Sequence, residues 1–220
     1  MSKAIKTCEL YSALPEYLTP LFYSCEYPWQ MLPLIKEYTL ALVEKGGAGY
    51  TLYKDGIIMG EGVKIYEGVT IEPPAFIGAG VTLRPGAYIR GSVIIGDGSV
   101  IGNSTEIKNC ILTRRVQLPH YNYVGDSVIG CGAHLGAGSI CSNLKSDGKT
   151  VVIHAEREVA TGLRKVGSFL GDGVEVGCGC VLNPGTVIGK RTSVYPLTAL
   201  RGVYEADSII KNIDTVVKRT

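Results

Sequence analysis

Two of the chain's three histidines lie within "LPHYNYVGDSVIGCGAHLGAG", residues 118–138, where His120, Tyr121, Asn122 and Tyr123 follow one another without a break. A histidine titrates close to neutral pH unaided, so one held at a surface can take a proton from a nucleophile and later return it. The "LGAG" turn at 135–138 sets backbone amides in a tight bend, where a fixed N–H can meet a developing oxyanion. Arg84 in "LRPGA" and Lys108 in "EIKN" add a planar guanidinium fork and a point charge. Each of these features alone is ordinary. A second "GAG" at 78–80 has no such company, and lone surface cations are common.

The elements that must position these residues follow a period of six. Met59, Ile65, Ile71, Ile77, Leu83, Ile89, Ile95, Ile101 and Ile107 fall in one phase. Four positions later come Val63, Val69, Ala75, Val81, Ala87, Val93, Ser99 and Thr105, all small or β-branched. A helix repeats every 3.6 residues and a half-buried strand every two, so neither gives a six. Turn formers recur between them as "GEG", "EPP", "GAG", "RPG" and "GDG". This hexapeptide pattern predicts an all-β, single-stranded parallel β-helix, with three short strands and three turns per coil. The aliphatic points into the prism and the small residue fits the corner.

After Ile107 the phase slips. Leu112, Leu118 and Val124 are displaced by one residue, and Ile129, Leu135 and Cys141 by another, before the polar run "SNLKSDGKT" at 142–150. The six returns at Leu170, Val176, Leu182, Ile188 and Val194. Slips of this kind predict bulges or extruded loops within 108–168, which is where chemistry usually sits on a rigid scaffold. Residues 1–56 lack the repeat; "YPWQMLPLIKEYTLALVEKGG" at 27–47 predicts a helix, stopped by Gly46, that caps the open lower end of a β-helix spanning 57–205. The charged, aperiodic tail at 206–220 is expected to pack against a neighbour or fray.

Composition closes several other routes. A formal charge of +2 with scattered Lys and Arg argues against nucleic acid. No apolar stretch approaches the ~20 residues of a membrane span, so no membrane role is expected. Seven cysteines, an odd number without framework spacing, fit a reducing cytoplasm. Cys178 and Cys180 have no zinc-site spacing, and no metal is expected. The γ-class carbonic anhydrases, also β-helical, need two histidines five residues apart; here the gaps from His120 to His134 and on to His154 are 14 and 20.

The stretches "LRPGAYIRG", "STEIKN", "PHYNYVGDSVIG", "LGAGSICSNLKSDGKT", "RKVGSFLGDG" and "NPGTVIG" occur in that order. Over roughly 57–200 the chain resembles the acetyltransferase half of the bifunctional N-acetylglucosamine-1-phosphate uridylyltransferase / glucosamine-1-phosphate acetyltransferase family, archaeal-type sugar-1-phosphate branch. The resemblance implies a left-handed β-helix, a homotrimer and transfer of acetyl from acetyl-CoA to the amine of a hexosamine 1-phosphate. Carried over residue by residue, it makes His120 the general base and Tyr123 a substrate contact. Arg84 and Lys108 become the phosphate pair, Asn143 a sugar contact and Lys149 a lysine near the donor. Ala137, Cys178 and Pro196 fall at coenzyme-contacting positions.

Two departures accompany the resemblance. The family carries a nucleotidyltransferase domain in front, whereas the 56 residues before the coil contain no glycine-rich loop ahead of an Arg and Lys, so no uridylyltransferase activity is expected of them. His134 stands where the family has an asparagine, which bears on the choice of hexosamine. His154 matches nothing functional. The rival from another class is a non-catalytic assembly or regulatory β-helix related to sugar nucleotidyltransferases, against which the retained His120, Tyr123 and Asn143 speak. Because the stretches at 112–124 and 142–150 are too short to wall a pocket over a flat face, a neighbouring copy is expected to supply the other wall.

Overall fold

A strand of two residues, such as Lys64–Ile65 or Thr82–Leu83, has no stability of its own and must be held by the coils above and below. That is the arrangement in the computed structural model, which describes residues 5–219. The strands stack in parallel into a β-solenoid of about nine turns, a left-handed β-helix. Its first face aligns Ile57 with Ala75 and Val93. The second aligns Lys64, Thr82, Val100, Gln117, His134, Glu175 and Ser193. The third aligns Thr70, Tyr88, Glu106, Tyr123, Ile140, Val181 and Ala199.

Ile77, Leu83, Ile89, Ile95, Ile101 and Ile107 are fully buried in one axial core, as their phase requires. Each contributes about 1.5–3 kcal/mol by leaving water. Val81, Ala87, Ser99 and Thr105 are buried at the corners. Ile65, in the lowest coil, is exposed.

The phase slips turn out to be shortened coils. Ile107 pairs with Val124, 17 residues on, whereas Ile77 pairs with Ile95, 18 on. The missing residue is lost at the corner between the third and first faces, which Asn109 and Asp126 close alone with φ of 43° and 47°. Strands Glu106–Leu112 and Tyr123–Ile129 therefore run round this corner unbroken, and residues 112–124 form no extruded loop. The chain leaves the prism once, after Asn143, and returns at Ser168–Leu170. The excursion contains an antiparallel hairpin, Val152–His154 with Glu158–Ala160.

The N-terminal segment lies along the side of the prism, not across its lower end as expected. Leu10, Phe22, Trp29, Met31 and Ile35 pack on the outward residues Ile58, Phe76, Ile94, Ile111, Val128 and Phe169 of the first face. The reason is written in the strands: "AFI", "VII" and "SFL" are apolar on both sides, as in a sheet covered on both faces. Tyr11 Oη donates to Val128 O at 3.0 Å and Ser12 N to Asp172 Oδ2 at 2.8 Å. The helix expected over 27–47 divides into a 3-10 stretch, Pro28–Leu34, and the α-helix Ile35–Lys45, ended by Gly46 at φ 55°. Residues 1–4 of the proposed cap lie outside the described residues.

Hairpins close the edges. Tyr50–Lys54 folds antiparallel onto Ile57–Gly60 at the bottom. At the top Ser208–Asn212 continues the second face and Thr215–Lys218 turns back along it. The expected boundary at 206 is therefore no boundary: Ile210 is fully buried in the axial core, and the antiparallel return satisfies backbone groups that would otherwise form an open edge.

The close stacking is testable at Gly102, where a Cβ would collide with the Pro119 carbonyl of the next coil. Gly102→Ala should cost about 2–3 kcal/mol through overpacking and lower Tm by roughly 6 °C in a thermal melt followed by circular dichroism. An unchanged melt would contradict the close approach.

Candidate active site

The strand Gln117–His120 ends at the corner between the second and third faces. Asn122, one of the residues singled out with His120, is buried there and not displayed. Its Nδ2 donates to Gly136 O at 2.9 Å and Ser139 O at 3.2 Å, and its Oδ1 accepts from His120 N at 3.2 Å. Asn122 thus pegs the corner and holds the backbone that presents His120. The His120 side chain is exposed, with no hydrogen-bond partner among the described residues.

Directly above it the same corner recurs. Gly138 N donates to His120 O at 3.0 Å, Gly179 N to Ala137 O at 2.8 Å, and Leu197 N to Cys178 O at 2.9 Å. His120, Ala137, Cys178 and Pro196 therefore form one ridge along the axis, although the sequence separates the first from the last by 76 positions. The backbone N–H groups of Ala137 and Cys178 donate to no described residue. Cys178 and Cys180 flank the turn glycine: Cys178 is exposed and Cys180 buried.

Tyr123 opens the third face one step past the ridge. A Cβ on Gly125 would stand 2.5 Å from Tyr123 Oη and 2.7 Å from Asn143 Nδ2, so the glycine makes room for both. Partial burial, and then the negative charges of Asp126 and Glu106, push the Tyr123 phenol above its ordinary pKa. It stays a neutral donor at working pH. Asn143 is held from beneath: its Nδ2 donates to Asp126 Oδ2 at 2.5 Å, while Asp126 Oδ1 accepts from Asn109 Nδ2 at 2.8 Å.

The expected phosphate pair is not brought together within one chain. Arg84 follows Leu83 on the second face, and Lys108 follows Ile107 on the third, across the ridge. What lies beside Lys108 is Arg90, because Ile107 pairs with Ile89. The signal for Arg90 was its separation from Lys108 by 18 residues, one whole coil. Arg90 Nη1 reaches Glu106 Oε1 at 2.8 Å, and its guanidinium lies 5.9 Å from the Tyr88 ring centroid. Lys149 is exposed in the excursion, where its N–H donates to Asp147 Oδ1 at 3.0 Å. The excursion departs from the edge of the third face opposite the ridge, so Lys149 does not join the ridge.

The remaining candidates sort by contact. His134 Nδ1 lies 2.9 Å from Glu175 Oε2 one coil above, on the second face. His154 Nε2 lies 2.6 Å from Arg201 Nη2, and its Nδ1 3.2 Å from Glu158 Oε1, a tether for the excursion hairpin. Cys110 and Cys141 are buried in the core, and burial raises both thiols, Cys141 to about 12, so neither is a nucleophile. Among the described residues no cluster of His, Cys, Asp or Glu could hold a metal ion, and no helix is long and apolar enough to cross a membrane. Asp126→Asn should release one of the two amides it holds and cost about 1.5–3 kcal/mol, the range for a hydrogen bond to a charged group. Urea unfolding checks this, and an unchanged midpoint would mean that the carboxylate does not organise the corner.

The stacked hexapeptide coils define a left-handed β-helix. The family model described as the GMPPB C-terminal domain matches residues 71–164. The bifunctional protein GlmU of Methanococcus maripaludis (strain C5) is 32% identical over 117 residues, 53% of this chain and 28% of that protein. The bifunctional sugar-1-phosphate nucleotidylyltransferase/acetyltransferase of Sulfurisphaera tokodaii is 37% identical over 97 residues, 44% of this chain and 24% of that one. The chain thus spans under a third of the length of these relatives. Among solved structures, a mutant of AntD, an N-acyltransferase from Bacillus cereus in complex with dTDP and coenzyme A, aligns with a TM-score of 0.44 and 16% identity, covering 78% of this chain and 91% of that one. The chain is thus similar to a part of each of these bifunctional proteins.

Proposed function

We propose that this chain transfers acetyl from acetyl-CoA to the amino group of a hexosamine 1-phosphate, with His120 as general base. The observation that carries the reading is the stacking of an unpartnered imidazole beneath an unpartnered N–H, His120 under Ala137, on one ridge. The amine attacks the thioester carbonyl while His120 takes its proton. The carbonyl electrons move to oxygen, where the Ala137 N–H stabilises the oxyanion. Collapse expels the coenzyme thiolate, which takes the proton back from the imidazolium. The Cys178 N–H, one coil higher, meets the next carbonyl of the donor arm, and Pro196, lacking an N–H, ends the row of donors.

On the acceptor side Tyr123 donates from its neutral phenol and Asn143 offers its amide. Lys108, with Arg90 beside it, supplies positive charge for the phosphate. Lys108 and Arg90 lie at the opposite edge of the third face from the ridge, so one chain does not close an acceptor pocket by itself. A threefold assembly, in which each ridge faces a neighbouring copy, completes it and gives Arg84 and Lys149 a role across the subunit boundary.

The direct test is coenzyme A release from acetyl-CoA, across a panel of hexosamine 1-phosphates. Activity on none of them sinks the reading. His120→Ala should lower turnover ~10²–10⁴-fold and hardly move Tm, since the side chain is solvated. Its residual activity should climb at alkaline pH, where the free amine needs no base. Near-normal turnover at pH 7 would move the base elsewhere, with His134 the first alternative. Sedimentation should show a trimer, and a stable, fully active monomer would remove the shared pocket.

A further inference from the structure

The stretch that carries His120 contains one residue the proposed chemistry does not use. Tyr121 has a φ of 51° and is 64% exposed. Its counterparts on the succeeding coils are Gly138 and Gly179, at φ 71° and 67°, and then Leu197, at φ 59° and 85% exposed. A left-handed backbone favours glycine, and a Cβ there costs energy. Here a tyrosine and a leucine are held in it, and neither side chain is packed away within its own chain.

The two bulky residues stand three coils apart, about 14 Å at the usual strand spacing. Between them lie only small residues: Ala137 and Gly138, then Cys178 and Gly179. Nothing stands within 4 Å of where a Cβ on Gly138 would be. The unpaired N–H groups of Ala137 and Cys178 belong to this floor. Leu197 leans back over it, with Cδ2 2.8 Å from the place of a Cβ on Gly179. The result is a bay with polar donors in its floor and an apolar wall at each end.

Resting on the donor reading given above, we propose that Tyr121 and Leu197 are the end walls that gauge the acyl-thioester arm. An arm of alternating amides and methylene pairs suits such a bay, its carbonyls accepting from the floor and its methylenes meeting the walls. Tyr121 adjoins His120, where the acyl carbon must lie, so Tyr121 limits acyl length. Leu197, at the opposite end, sets affinity for the arm itself.

Glycine at either position relieves the backbone while removing the wall, so the fold and the function should respond in opposite directions. Leu197→Gly should raise Tm of the free protein by about 2 °C and weaken coenzyme A binding about tenfold by calorimetry, as loss of a buried leucine contact does. Tyr121→Gly should raise turnover with butyryl-CoA relative to acetyl-CoA about tenfold. If the unaltered protein binds no coenzyme A, the donor reading falls and the walls with it. If it binds, and both variants match it in affinity and acyl preference, only the walls are overturned. Leu197→Gly that changes the sedimentation of the protein but not its affinity for coenzyme A overturns the inference too, and makes Leu197 a subunit contact.

Discussion

The parallel ladder between coils is the constraint on which the rest of the molecule depends. Each coil is hydrogen-bonded to the one above along all three faces, so a residue's axial neighbours are fixed by the register. Side chains alternate in and out, and a slip of one residue would turn the isoleucine row to solvent. The apolar core and the placement of outward side chains are therefore one decision. His120 stacks under Ala137 because Gln117 pairs with His134 three residues earlier.

The ladder tolerates a change of period only at a corner. Asn109 and Asp126 each close the third-to-first corner alone, in a left-handed conformation that asparagine and aspartate adopt more readily than other residues with a Cβ. Shortening brings their side chains into line with Asn143, and the Asp126 carboxylate ties the three together. The same hydrogen bonds that allow two 17-residue coils thus fix the amide beside Tyr123. The chain leaves the prism immediately after Asn143; above the excursion Phe169 pairs with Val187, 18 on, and Val187 with Val203, 16 on.

Cladding decides which surface remains available. The first face is apolar outside as well as inside, and the N-terminal helices and the excursion cover it, with Val151, Ile153 and Val166 joining the same cluster. The second and third faces carry outward polar residues, among them the Glu72–Tyr88 and Arg90–Glu106 contacts. The ridge between them is left open. The asymmetry comes from strand composition, since a covered strand needs apolar residues at consecutive positions and an open one does not.

The sequence by itself determined the coil, the inward phase and the motif around His120, because a six-residue period admits one way of burying its aliphatics. It also placed Ala137, Cys178 and Pro196 in one phase, so their common ridge was legible once the coil was known. It held the 18-residue spacing that sets Arg90, and not Arg84, beside Lys108, but only the register shows that this coil keeps its full length. The side of the prism chosen by residues 5–45 was equally hidden, because an amphipathic helix records that it has an apolar face but not which apolar face it will meet. The role of Asn122 as a buried peg was also decided only in three dimensions. Its type suits a surface or a corner alike, and only the carbonyls of Gly136 and Ser139, one coil away, decide between them.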